Sequence, residues 1–154
     1  RVQVGRVSFV AAVYASGMVP AFDLRPSASY SVLDAGLSAR GVSRTRVNGK
    51  PAVTYLTDAG DTVSWKVRIP VAGRYSIQIR YANPDAKPKA VERALVSEED
   101  VVMEREPIDF SPTRTGKWGT AEVHTSSQIN AGYYTVRISG MQAKGLSLSG
   151  LKIQ

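Results

Sequence analysis

A strict two-residue alternation of apolar and polar side chains occupies the middle of the chain. Val63, Trp65, Val67 and Ile69 share one parity, and Thr62, Ser64, Lys66 and Arg68 share the other. After Pro70-Val71-Ala72-Gly73 the pattern restarts, with Tyr75, Ile77, Ile79 and Tyr81 against Arg74, Ser76, Gln78 and Arg80. Successive side chains of an extended chain point to opposite sides, so a period of two means one buried face and one wet face. Strands of that kind belong to antiparallel sheets. The spacing predicts two strands joined by a compact link, in which Gly73 can take positive φ, paired as one hairpin.

The same grammar continues to the end of the chain. "RALVSEEDVVMERE" reads as two strands around an acidic turn, and "TAEVHTSSQI" as a strand before the turn "NAG". "YYTVRIS" places Tyr134, Val136 and Ile138 on one face. "LSLSGLKI" is the closing strand, and its apolar parity shifts at Gly150, which marks a bulge. The clearest long loops are "DAKPKAVE", after Asn83, and "SPTRTGKWG". Short strands separated by Gly, Pro, Asn and Asp turns indicate a sandwich or barrel.

The 154 residues suit one domain that buries a core without staples. Residues 1–29 read as an extra strand and linker in contact with a neighbouring domain, and residues 30–154 as the sandwich. Within the first segment Val7, Phe9, Ala11 and Val13 alternate in strand fashion, and the run is too short to span a bilayer as a helix. The chain begins at Arg1 rather than Met, so it is expected to be a processed or excised piece.

Composition removes most catalytic chemistries. Without cysteine there is no thiol nucleophile, disulfide scaffold or thiolate metal site. The single histidine, His124, falls on the wet side of a strand beside Glu122, which leaves little for a zinc site or a serine triad. No GxSxG, P-loop or GxGxxG occurs. The carboxylates of "SEED" and "MERE" (Glu98, Glu99, Asp100, Glu104 and Glu106) sit in or near a turn and read as solvated charge rather than a glycosidase pair. Asp58 and Asp61 read as turn caps. The net charge of +7 is spread along the chain, with no basic run of the sort that binds nucleic acid. Neither nucleic acid nor a membrane is an expected partner.

The segment "AGDTVSWKVRIPVAGRYSIQIRYAN" resembles the core signature of carbohydrate-binding modules of families 6 and 35. "YSVLDAGLS", "DFSPTRTGKW", "INAGYYTVRI" and "LSLSGLKI" resemble the other family segments in the same order, so the resemblance runs from Tyr30 to Ile153. It implies an all-β fold, an antiparallel β-sandwich of jelly-roll type. It also implies a non-catalytic module appended to a glycoside hydrolase or similar enzyme, in a secreted, cell-surface or periplasmic bacterial setting. Its expected partners are a glycan and the neighbouring domains of the parent enzyme.

The resemblance carries over residue by residue. Trp118 matches a tryptophan that stacks on a sugar face, and Tyr55 the tyrosine that often faces it. Asn83 matches the Asn of Tyr-Ala-Asn. Tyr134, or Tyr133 with the register moved by one, stands where the family commonly has a sugar-binding Asn. A second family tryptophan is here Ala121. The acids that hold a structural calcium in many members are replaced by Ser31, Val32, Leu33 and Ser149, so no cofactor is expected and Leu33 is expected to pack where the ion would sit. Calcium needs about six to eight oxygens, carboxylates among them. Lys66, Arg68, Arg74 and Arg80, with Arg137 of the later strand beside them, fall on polar sides of strands; with Lys66 to Arg80 in one hairpin they would share an exposed face, which reads as a solvated face or as a surface for anionic glycans or for a carboxylate-rich neighbouring domain. Beside the binding-module reading stand a structural or interaction domain that has lost its sugar site and, third, a small enzyme.

Overall fold

The computed structural model describes residues 27–38 and 40–154. The strand expected over Val7–Val13 lies outside them. Among the described residues eleven strands run in chain order: β1 Ala28–Ser31, β2 Gly36–Leu37, β3 Val42–Val47, β4 Lys50–Tyr55, β5 Ala59–Ile69 and β6 Ser76–Ala82, then β7 Lys89–Ser97, β8 Val102–Phe110, β9 Gly119–His124, β10 Gly132–Met141 and β11 Ser147–Ile153. A 3-10 turn at Val32–Asp34 separates β1 from β2.

The strands form two antiparallel sheets stacked as a sandwich. One has the order β3-β4-β11-β6-β9, with β1 paired to β11, and the other the order β2-β5-β10-β7-β8. The alternation read from sequence sets the inner faces. Val63, Trp65, Val67 and Ile69 of β5 meet Ile77, Ile79 and Tyr81 of β6 in one core, all at 5% exposure or less. Tyr134, Val136 and Ile138 of β10 join them. Burial of such side chains stabilises the fold by about 1.5–3 kcal/mol each. The register of β11 shifts between Leu148 and Gly150, the bulge expected from the parity change.

The expected hairpin of β5 and β6 is not formed. β5 pairs with β10 and β2, whereas β6 pairs with β11 and β9 in the opposite sheet. The link between them turns a corner of the sandwich, where Gly73 exchanges two backbone hydrogen bonds with Ile129. Two strands that each bury one face look alike whether they lie side by side or face each other. The cationic face is therefore divided: Lys66, Arg68 and Arg137 belong to one sheet, and Arg80 to the other.

A second correction concerns Glu104. Its side chain is 2% exposed and pairs with Arg93, itself fully buried, at 2.9 Å. Glu104 Oε2 also accepts from the backbone N–H and hydroxyl of both Ser126 and Ser127, at 2.9–3.1 Å. Glu104 lies on β8 of one sheet and the two serines follow β9 of the other, so this carboxylate staples the sheets together.

Candidate functional site

Trp118 ends the loop between β8 and β9 and is partly exposed. The loop is shaped by a turn with Arg114 at φ 72° and Gly116 at φ 74°, closed by Lys117 N–H donating to Arg114 O at 3.2 Å. Gly119 follows the ring, and a Cβ there would stand 2.9 Å from Thr113 Cγ2 and 3.2 Å from Tyr81. Glycine is what allows the chain to pass this close to Tyr81. The indole Nε1 of Trp118 is buried and meets no acceptor among the described residues.

Asn83 does not face a ligand. It is fully buried, and its Nδ2 donates to Lys87 O and Phe110 O, both at 3.0 Å. Its Oδ1 accepts from Asp85 N–H, and its backbone N–H and C=O both bond Thr113. With each amide function engaged, Asn83 ties the 83–88 loop to the loop that carries Trp118.

Tyr55 is fully buried too, and its hydroxyl donates to Ile138 O at 2.8 Å. Burial pushes this phenol far above the ordinary tyrosine range. The expectation of a second sugar-facing ring is corrected to a core tyrosine. Tyr134 is 8% exposed and donates to Asn130 O at 2.8 Å, so it closes the turn before β10. Its neighbour Tyr133 points outward and is 57% exposed.

The segment between β1 and β2 is held by side chains of other strands. Arg44 of β3 donates from Nη1 to Val32 O at 2.6 Å and from Nη2 to Ala35 O at 2.8 Å. Trp65 Nε1 donates to Ser31 O at 3.0 Å, and Ser31 Oγ caps the turn by accepting from Leu33 N–H. Leu33 is 66% exposed, so it does not fill a vacated ion site as expected. Three carbonyls of the segment are thus engaged by protein donors, and the remaining carboxylate, Asp34, is exposed. Among the described residues no three acidic or histidine side chains gather as a metal would require.

A hollow of about 310 Å³ opens on the outer face of the β5–β10–β7 strands. It is lined by Lys66, Tyr133, Thr135 and Arg137 on one side and by Glu98 and Asp100 of the β7–β8 turn on the other. The parity of β10, anchored by Tyr134, Val136 and Ile138, puts Tyr133 on the outer face with Lys66 and Arg137, the two cations of the hollow that the sequence already placed on polar sides of strands.

A family model described as carbohydrate binding module (family 35) matches residues 26–140. The native structure of a family 35 module from Clostridium thermocellum is similar at 20% identity and a TM-score of 0.63, with 83% of this chain and 97% of that chain covered. The module CBM6cm-2 of Cellvibrio mixtus lichenase 5A, in complex with cellotriose, is similar at 23% identity and a TM-score of 0.63, covering 82% and 95%. The Podospora anserina GH26-CBM35 β-(1,4)-mannanase is similar at 18% identity and a TM-score of 0.62, covering 83% of this chain and 27% of the enzyme. No curated protein matches the sequence. No helix among the described residues is long and apolar enough to cross a membrane.

Proposed function

This chain belongs to the family 35 carbohydrate-binding modules, and from that premise we propose that it anchors a larger secreted glycan-degrading enzyme to its polymer. The module performs no bond chemistry of its own. Holding an enzyme at a polysaccharide raises the local substrate concentration in the way that any tethered second binding event does. The mannanase similar in fold carries its module within a longer chain, which supports such a parent enzyme here.

The Trp118 ring is the sugar platform. The observation that carries this is its exposure: of the four residues expected at the ligand, Tyr55, Asn83 and Tyr134 are buried and Trp118 alone stays partly open. The CH groups on one face of a pyranose match the negative face of an indole, and such contacts add about 0.5–1.5 kcal/mol beyond area burial. The N-terminal turn holds its shape without structural calcium, a reading supported by the bidentate Arg44 contact with Val32 O and Ala35 O.

A second reading, a structural domain that has lost its sugar site, is favoured by that same burial, which leaves one ring where the family uses several groups. Glycan-array screening followed by isothermal titration separates the two. Binding that Trp118→Ala abolishes upholds the platform. Silence across diverse neutral and anionic glycans leaves the structural domain.

A further inference from the structure

We propose that the turn between β3 and β4 is a covalent self-modification site: Asn48 and Gly49 close to a succinimide, which water opens to aspartate or isoaspartate. The modification is spontaneous and one-way, and it is independent of glycan binding.

The fold brings the pair to the surface. Val47, the last residue of β3, pairs with Lys50, the first of β4, so Asn48 and Gly49 form a two-residue hairpin loop. Their φ angles of 50° and 79° are those of a type I′ turn, which needs positive φ at both positions and so selects Asn-Gly. The same dipeptide is reactive. Of the three asparagines in the chain, only Asn48 precedes a glycine; Asn83 precedes Pro84, which has no N–H, and Asn130 precedes Ala131. Gly49 has no Cβ to shield its nitrogen, and a Cβ built there would meet nothing within 4 Å. Both residues are exposed. Among the described residues the Asn48 amide has no hydrogen-bond partner and the Gly49 N–H no acceptor, so neither reacting group is held back.

The reaction needs only water as co-reactant. Hydroxide takes the Gly49 amide proton, and the nitrogen attacks Asn48 Cγ. The N–Cγ bond forms, the Cγ–Nδ2 bond breaks, and Nδ2 leaves as ammonia. Water then adds to one of the two ring carbonyls: opening at Cγ gives aspartate, and opening at the backbone carbon gives isoaspartate, whose chain runs through the side chain. The group to be stabilised is the anionic Gly49 nitrogen. Arg46 Nη1 donates to Gly49 O at 2.7 Å, which holds a guanidinium on the same residue, and a cation this near favours the ionised form. Ring closure requires the turn to open. β3 is an edge strand paired only with β4, so little else has to move. Each event lowers the net charge of +7 by one. Isoaspartate also lengthens the backbone of a loop whose length sets the register of the hairpin. The disturbance runs along β3 to Arg44, which holds Val32 O and Ala35 O.

The test incubates the whole folded chain in warm buffer at neutral and mildly alkaline pH. Peptide mapping by mass spectrometry locates the amide lost, and an isoaspartyl methyltransferase assay counts isoaspartate. A short peptide spanning Arg46–Pro51 serves as the unfolded control. Conversion is expected at Asn48 and not at Asn83 or Asn130, with ammonia released in equal amount and a rate that rises with pH. Asn48→Gly keeps a turn that accepts positive φ and removes the amide, so it should release no ammonia. Arg46→Met should slow conversion severalfold while leaving the circular dichroism unchanged. Amide hydrogen exchange in β3 should speed up with the converted fraction in wild type and stay constant in Asn48→Gly. A folded chain whose Asn48 stays intact after the peptide has converted overturns the proposal, because the fold then holds the turn closed. Equal conversion at Asn130 overturns it as a property of this turn. An unchanged rate in Arg46→Met overturns the part assigned to the guanidinium.

Discussion

Glu104→Gln removes one charge and almost no volume, so it isolates the electrostatics of the sheet-to-sheet staple. Glu104 meets Arg93 through one oxygen and four serine donors through the other. A glutamine has one oxygen and one NH2, and either orientation points that NH2 at groups that donate. With the NH2 turned to Arg93, the guanidinium keeps only a 3.5 Å contact with His124 O. With the oxygen turned to Arg93, the ion pair is still lost and the four serine donors face an NH2, while the buried Arg93 Nε has no acceptor among the described residues in either case. Removing one partner of a buried ion pair costs about 3–5 kcal/mol. At about 2–4 °C per kcal/mol for a chain of this size, the melting temperature should fall by roughly 6–20 °C. The pH dependence has a definite sign. Burial alone would raise the Glu104 carboxyl, but the Arg93 and serine hydrogen bonds together outweigh it and hold the group below the ordinary glutamate value. Its contribution is therefore complete above the unfolded value, about 4.3, and is lost as pH falls through the lower folded value. Urea unfolding followed by tryptophan fluorescence should show the gap between wild type and variant at neutral pH and its closure in acid. A variant within about 1 kcal/mol of wild type at pH 7, or a gap that persists unchanged in acid, would refute the staple. Replacing both partners with apolar residues should cost less than either single change.

Two further perturbations probe the expected ligand and cofactor sites. Arg44→Met deletes two charge-assisted hydrogen bonds from an exposed group; discounted for solvent, about 1–2 kcal/mol is lost, and the melting temperature should drop by about 2–8 °C. Millimolar calcium or a chelator should leave the wild-type transition in place, and a marked rise with calcium would count against the resident guanidinium. Tyr55→Phe strands the Ile138 carbonyl interaction, costing about 1 kcal/mol in denaturant titrations. It should leave glycan affinity unchanged, and a selective loss of binding would return Tyr55 to the ligand site.

What the sequence carried was parity. Period-two alternation placed Trp65, Ile77, Ile79, Tyr81 and Ile138 in the core, and its break at Gly150 located the bulge. Parity does not say which strand lies beside which, and so the β5–β6 pairing was misread. The same rule, applied without prejudice about charge, would have exposed the staple. Arg93 shares parity with Val91 and Leu95, and Glu104 with Ile108 and Phe110, all of them buried. Opposite charges on the inner parity of consecutive strands signal a buried pair. For Asn83 no such signal exists, because its role depends on Lys87 O, Phe110 O and Thr113 converging in space.

The division of β5 and β6 between the sheets also changes what the +7 charge can do. In one hairpin, Lys66, Arg68, Arg74 and Arg80 would act as one field on an approaching polyanion. Stacked sheets lie about 10 Å apart, and their outward side chains stand farther apart still, beyond the roughly 8 Å over which charge is felt at physiological ionic strength. Arg80 and Lys152 on one outer face, and Lys66, Arg68 and Arg137 on the other, are thus electrostatically separate. Each face must select a ligand by its own local chemistry.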